Sequence, residues 1–367
     1  MALKKAELKL WIYDGNLGDY DAADPDYTIS KTKLSSEETI LFEIAELAKD
    51  YITVSFDGSY SDANLTSWVS YELTNTFDTQ SGDVDQTSTE TGTLLGTHAY
   101  GYFEDRINPQ LTNPLQQSNT CIYWKKGVPV RIPLYSGQSL YDVEWYEEDT
   151  LVSTDVYGDN LIRITADTTD YRADHSNRIE LSADVTHIGN LNEVDYSQSS
   201  ISYVGATRAI VKTRTNVEVE VFVTYIDECK NTPYKVTFVN KFGALQDIWF
   251  FGRRKEKADV SRESFRVNTI SSTPISTLYP THKRTDKIHN VESKKALTLN
   301  TGFICEDYNE VIQQLLQTEF CWIHENNKVF PVNPSENNIE YKTELYDKLL
   351  NFTLNFDYAY SELNSVR

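Results

Sequence analysis

The chain has 367 residues, enough for two or three domains of ordinary size, each able to bury a sizeable core. Its 55 acidic against 34 basic side chains give a formal charge of −21, which favours solubility and repels phosphate backbones at long range, so a general nucleic-acid role is disfavoured. No run approaches the ~20 apolar residues of a membrane helix, which argues against membrane insertion.

The first residues, MALKKAELKLWIYDG, are charged but lack an apolar stretch of signal-peptide length, so synthesis in a cytoplasm without Sec export is expected. Leu8, Leu10 and Ile12 alternate with polar residues, the period-two habit of a strand with one wet face. DGNLGDYDAADPD (14–26) then reads as a hairpin tip. Its Asp14, Asn16, Asp19, Asp21, Asp24 and Asp26 offer oxygens of the kind calcium prefers, but the glycine and terminal glutamate of an EF-hand are missing. A surface loop is the reading, and no metal is assigned. ILFEIAELAKDYI places Leu41, Ile44, Ala45 and Ala48 on one face and predicts a helix over 40–51 laid on a sheet. TQSGDVDQTSTETG (79–92) reads as a second long hairpin tip, and a polar stretch at 108–119 precedes the end of a first unit, 1–125.

From about residue 126, KGVPVRIPLYSG begins a second strand-rich unit. YDVEWYEED, NLIRITAD and NRIELSADVTHI follow at the regular spacing of an immunoglobulin- or fibronectin-like sandwich, predicted over 126–205. The third unit, 206–367, alternates at Val217, Val219, Val221, Val223 and Tyr225, and again at Leu350, Phe352, Leu354, Phe356 and Tyr358. Between them, Asp307 and Glu310 suggest a capping box for a helix over 308–318, with Val311, Ile312, Leu315 and Leu316 on its apolar face. The expected fold class is mainly β: antiparallel β-sandwich modules with a C-terminal α+β domain.

Residues 239–268, VNKFGALQDIWFFGRRKEKADVSRESFRVN, run from an aromatic strand into a basic arm. Successive strand residues face opposite sides, so Trp249, Phe250 and Phe251 make a strand apolar on both faces, one that belongs inside a sandwich or against another subunit. The arm, 252–295, holds eleven Lys/Arg against five Asp/Glu, a local +6 that leaves −27 for the remainder. Trp249, Phe250, Phe251, Arg253, Arg254, Lys255 and Lys257 are therefore candidate assembly-interface residues, with the arm ordered against an acidic neighbour. The plainer alternative is a solvated loop. Glu256, Asp259 and Glu263 among the cations weaken a phosphate-tracking reading.

No G-x-S-x-G, H-E-x-x-H, phosphate-loop or G-x-G-x-x-G pattern occurs, and no catalytic residue or cofactor is assigned. Cys121, Cys229, Cys305 and Cys321 are scattered, which favours free thiols over a zinc site or a disulfide framework. His282 and His289 lie in the basic arm, and His175 neighbours Asp174, without marking a catalytic pair. The 24 tyrosines and six tryptophans suit a protein- or glycan-binding surface, and a carboxylate pair of the glycosidase type stays open.

Four segments in order, LFEIAELAKDYITVSFDGSY, TPYKVTFVNKFGALQDIWFFGRRKEKADVSRESF, LTLNTGFICEDYNEVIQQLLQTEFCWI and YKTELYDKLLNFTLNFDYAYSELNSVR, resemble tail-associated structural proteins of tailed bacteriophages of marine and flavobacterial type. The resemblance implies a virion protein near the tail tip, baseplate or fibre attachment, and it carries over no catalytic residue. The expected partners are other virion tail proteins, further copies of the chain in a trimer or hexamer ring, and a host surface receptor. A receptor- or glycan-binding tail protein and a polysaccharide depolymerase are the alternatives.

Overall fold

The computed structural model describes residues 2–13, 18, 20–34, 39–58, 65–78, 85–105, 115, 117–128, 130–133, 140–156, 207–213, 218–268, 270–272, 277–278, 280–336 and 350–363. The chain is mainly β; its described residues build three larger sheets, with strand pairs antiparallel except for one.

The N-terminal sheet has the order β2-β1-β3-β4, from β1 (Ala2–Tyr13), β2 (Tyr27–Thr32), β3 (Thr66–Asp78) and β4 (Gln86–Thr97). Leu8, Leu10 and Ile12 point to one face and are buried with Val69, as their alternation requires. A short helix, α1 (Ala45–Asp50), covers that face, where Ala48 approaches closely enough for its Cβ to lie 3.3 Å from a Cβ placed on Gly96. The helix is shorter than the expected 40–51. Residues 41–44 are not helical, and Leu41 is exposed while Phe42, Ile44 and Leu47 pack on the sheet.

The middle sheet has the order β5-β9-β8-β6-β7, from β5 (Cys121–Lys125), β6 (Leu140–Glu147), β7 (Thr150–Val156), β8 (Arg208–Thr213) and β9 (Glu218–Ile226). β5 and β9 are its parallel pair. The boundaries expected at 125/126 and 205/206 fall inside this one sheet, which takes strands from all three expected units. Most of the sandwich expected over 126–205, including NLIRITAD and NRIELSADVTHI, falls on 157–206, outside the described residues.

The C-terminal sheet has seven strands in the order β11-β10-β16-β17-β18-β15-β12. They are β10 (Tyr234–Val239), β11 (Leu245–Phe250), β12 (Lys255–Arg266), β15 (Asp286–Asn300), β16 (Cys321–Glu325), β17 (Lys328–Pro334) and β18 (Thr353–Tyr358); a small bridge, β13 (Ser271–Ser272) with β14 (Thr277–Leu278), lies between β12 and β15 in sequence. β11 and β12 stand at opposite ends of that order, yet only Phe251–Arg254 joins them. Six inter-strand steps of ~4.8 Å make a flat sheet ~29 Å wide, whereas five residue steps span at most ~17 Å. The sheet must therefore curl until its ends approach. Backbone bonds from Phe251 N–H to Thr301 O (3.4 Å) and Gly252 N–H to Asn300 O (2.8 Å) close the seam. Any Cβ at Gly252 would collide with the Asn300 side chain, which is why glycine sits at this crossing.

Inside the curl lie Val236, Phe238, Ile248, Phe250, Leu297, Leu299, Ile323, Leu354 and Phe356, with Val311, Ile312 and Leu315 of α2 (Tyr308–Gln317). β18 reads wet and buried in strict alternation, as its sequence pattern demands. The expected capping box is absent. Asp307 has helical backbone angles and makes no side-chain cap, because a preceding turn already satisfies the first amides: Tyr308 N–H donates to Cys305 O and Asn309 N–H to Glu306 O. Glu310 instead accepts from Gln314 and pairs with Lys241.

Candidate functional site

β12 and β15 pair without a break in strand order from Lys255↔Thr298 to Arg266↔Asp286. Only Ala296–Asn300 of β15 also pair with β18, so among the described residues the rest is a two-stranded ribbon projecting from the curled sheet. Twelve residues at ~3.3 Å each give β12 a reach of ~40 Å. Every one of the twelve is exposed. A bulge between Glu263 and Ser264 adds local twist, and Val267 N–H donating to Thr285 O (2.7 Å) carries the pairing further. The basic arm is thus a regular hairpin within the single chain. Its polar alternation on both faces hid it from a search for apolar periodicity.

The ribbon leaves Val260, Phe265, Ile270 and Ile288 exposed. Its charges are partly paired along its own surface: Lys257 with Asp259 (2.8 Å), Arg266 with Asp286 (3.6 Å) and His289 with Glu263 (3.4 Å). His282 is exposed nearby.

The seven candidate interface residues separate into two groups. Trp249, Phe250 and Phe251 are buried within the chain itself: Phe250 faces the core of the curled sheet, while Trp249 and Phe251 join Trp124, Trp145, Val211 and Val223 in the core of the middle sheet. Both faces of β11 are covered from within, so these rings are not an interface. Arg254 is likewise internal. Its guanidinium, 10 % exposed, reaches Glu325 (2.7 Å), Glu256 (2.6 Å) and the Tyr358 hydroxyl (3.3 Å) and stacks 4.5 Å from the Tyr234 ring centre. Arg253, Lys255 and Lys257 remain exposed, at the root of the ribbon.

A second cluster, which the sequence did not signal, lies on the outer face of the curled sheet. Adjacent strands β11, β10 and β16 supply Asp247, Lys235, Thr237 and His324, and Arg131 reaches in from beside Ile132 of the middle unit. The Asp247 side chain is only 1 % exposed, with Lys235 Nζ at 3.2 Å and Arg131 at 3.8 Å. The Thr237 hydroxyl donates to Asp247 Oδ1 and lies 2.7 Å from His324 Nε2. A hydroxyl has one proton, and Asp247 receives it, so Nε2 carries the imidazole hydrogen and donates to Thr237. Burial pushes the Asp247 carboxyl up, but Lys235, Arg131 and the Thr237 bond outweigh it and hold the group below the ordinary carboxylate range. Burial, reinforced by Lys235, pulls His324 down to about 4, so the ring is neutral at pH 7. Phe56 of the N-terminal unit packs edge-on against that ring at 5.8 Å.

Three units therefore meet at one cluster, the middle unit through Arg131 on Asp247 and the N-terminal unit through Phe56 on His324. Thr237 and Asp247 expose no reacting atom, and what the arrangement does chemically is tie sheets together. The N-terminal unit adds a second tie, with Lys49 (2.9 Å) and His98 (3.3 Å) both on Glu319, and Phe56, Leu65, Val239, Leu245 and Trp322 in a shared apolar cluster.

In the acidic loop, Asp14, Asn16 and Asp19 lie outside the described residues, Asp26 accepts from the Ile12 amide (2.7 Å) and Asp21 from that of Ala23 (2.9 Å). His175 also lies outside the described residues. Compared with protein-family models, curated proteins and solved structures, the chain finds no match.

Proposed function

We propose that the chain is a non-enzymatic structural protein of a bacteriophage tail, at the tip, baseplate or fibre attachment, which assembles with neighbouring copies and other tail proteins through its β12–β15 ribbon. The observation that carries this reading is the ribbon itself. Two strands alone are marginal in water, and a ribbon whose β12 edge, among the described residues, pairs only with β15 and which exposes Val260, Phe265 and Ile288 is a ready template for a partner. Opposite charge names the partner: a segment of +6 against a remainder of −27 favours another copy of the same chain. Individual rim pairs contribute ~0–1 kcal/mol, but symmetry repeats them around a ring.

The test replaces Arg253, Lys255 and Lys257 together by Ser, leaving the internal Arg254 in place. Sedimentation is then measured at low and high salt. The wild-type chain is expected to assemble and to dissociate as salt rises, and the triple variant to stay folded and monomeric. Normal assembly of the variant refutes the role of these cations. Mass spectrometry that finds the protein in purified phage heads but not in tails refutes the assignment itself.

A further inference from the structure

β4 is a second long strand edge. Among the described residues it pairs only with β3, and it matches β12 in length, twelve residues against twelve. Its sequence, QTSTETGTLLGT, holds no lysine, arginine or proline, the residues that ordinarily guard an edge against added strands. The edge strands β2 and β7, by contrast, are six and seven residues long and carry Lys31 and Asp155. Residues 86–91 are all exposed, as are Thr93 and Leu94. Laid antiparallel and end to end, Lys255 against Thr97 and Arg266 against Gln86, the β12 and β4 edges match on the face that carries α1. Arg262 meets Glu90, the only charged side chain of β4, and neither side chain has an ion pair or hydrogen bond among the described residues. Val260, 44 % exposed, meets Gly92, where an added Cβ would fall 2.6 Å from the Tyr71 ring. That ring fills the place of the missing side chain and offers Val260 an aromatic surface. Leu94, 48 % exposed, meets Ala258. On the other face Ser261 meets Thr91 and Glu263 meets Thr89, so no like charges are opposed. A slip of two residues either way sets Glu90 against Val260 or Ser264 and loses the charge pair.

We propose that the β12 edge of one copy adds to the β4 edge of the next, in this register, as a fifth strand of that copy's N-terminal sheet. The inference rests on the ribbon-mediated assembly proposed above and names the surface that receives the ribbon. Main-chain hydrogen bonds between the two edges supply the affinity, and the Arg262–Glu90 and Val260–Gly92 pairs supply the register. The root of the ribbon lies at the Thr97 end of β4, which runs into His98. There Glu319, 3.3 Å from His98 and 59 % exposed, is an acidic neighbour for Lys255 and Lys257. Because β12 and β4 are different surfaces of each copy, the contact is heterologous and passes from copy to copy around a ring.

By sedimentation at low salt, Glu90→Arg is expected to raise the dissociation constant of assembly ~10-fold, and Arg262→Glu in the same chain to restore it, because every copy then carries the reversed pair. Both positions are exposed, so the thermal midpoints of the variants should match the wild type. The register is read by cross-linking. Chains bearing Ser261→Cys are mixed with chains bearing Thr91→Cys, each also carrying Cys229→Ser to remove an exposed thiol, and oxidised with copper–phenanthroline. A covalent dimer joining the two chains is expected, and far less of it when Thr87→Cys, four residues out of register, takes the place of Thr91→Cys. The β4 docking is overturned, with ribbon-mediated assembly left standing, if replacing Arg253, Lys255 and Lys257 by Ser abolishes assembly while Glu90→Arg leaves it unchanged and the two mixtures cross-link alike or not at all. A wild-type chain that stays monomeric at low salt overturns both.

Discussion

Replacing Asp247 by Asn removes one charge and almost no volume, which makes it the sharpest probe of the cluster where the three units meet. At an effective dielectric constant of ~20, a unit charge 3.2 Å from Lys235 contributes ~5 kcal/mol and one 3.8 Å from Arg131 ~4 kcal/mol, before the cost of desolvating the carboxylate. That desolvation cancels much of the gross gain. The measurable quantity is what happens when one partner goes and the others stay buried, typically 3–5 kcal/mol. Lys235 and Arg131 keep 16 % and 17 % of their side-chain surface, so water relieves part of the penalty and the expected loss is about 3 kcal/mol, roughly a hundredfold in the folding equilibrium. Trp249 and Trp322 flank the site in β11 and β16, which suits urea titration followed by tryptophan fluorescence. Adding Lys235→Met to Asp247→Asn should recover part of the loss, because it removes one of the two cations that faced the carboxylate. A loss below about 1 kcal/mol for Asp247→Asn would refute the reasoning, since it would mean the carboxylate is not holding buried cations at all.

Acid should weaken the same region in two stages. His324 lies at about 4 when folded against 6.5 as an ordinary histidine, so the unfolded chain takes the proton first. Its contribution is complete above 6.5 and lost as pH falls toward 4, ~3 kcal/mol in all. Asp247, held below its ordinary value, contributes above that value and loses its contribution as pH falls through the folded pKa. Urea midpoints measured at pH 7.5 and 4.5 should therefore differ in the wild-type chain and converge in His324→Gln. Gly243→Ala should cost about 1–2 kcal/mol, because φ is +79° there and the new Cβ would press to 3.1–3.2 Å on the backbone at His98 and Ala99; thermal melting that shows no loss contradicts this.

What the sequence revealed depended on whether the information was local. The alternation of Leu350, Phe352, Leu354, Phe356 and Tyr358 placed each side chain correctly, because a strand's two faces are fixed by parity. Val311, Ile312 and Leu315 marked α2 by the same logic at helical spacing. The double-sided burial of Trp249, Phe250 and Phe251 was also legible. Its cause was not, since parity cannot say whether the second face is covered by the chain's own middle sheet or by another molecule. Nor was Arg254 separable from Arg253 by sequence, although one is internal and the other exposed. The Asp247 cluster was invisible because its members come from separate segments between Arg131 and His324. The curl of the C-terminal sheet was equally hidden, since it depends on β11 and β12 being neighbours in sequence but opposite ends in strand order.

β15 is one uninterrupted strand whose last five residues are clamped to β18, with Ser293 and Lys295 held by Glu362 just beyond that strand, while the residues before them belong to the ribbon, and this gives the hairpin a mechanical direction. Tension applied at the tip along the strand axis would load the β15–β18 hydrogen bonds in shear, so they would share the force and yield together. On the other strand the pull would pass through Arg254 into Glu325 and Tyr358. A sideways pull would meet the ladder one rung at a time and peel it. Such a ribbon is a tether that holds against stretching along its length and releases when bent away.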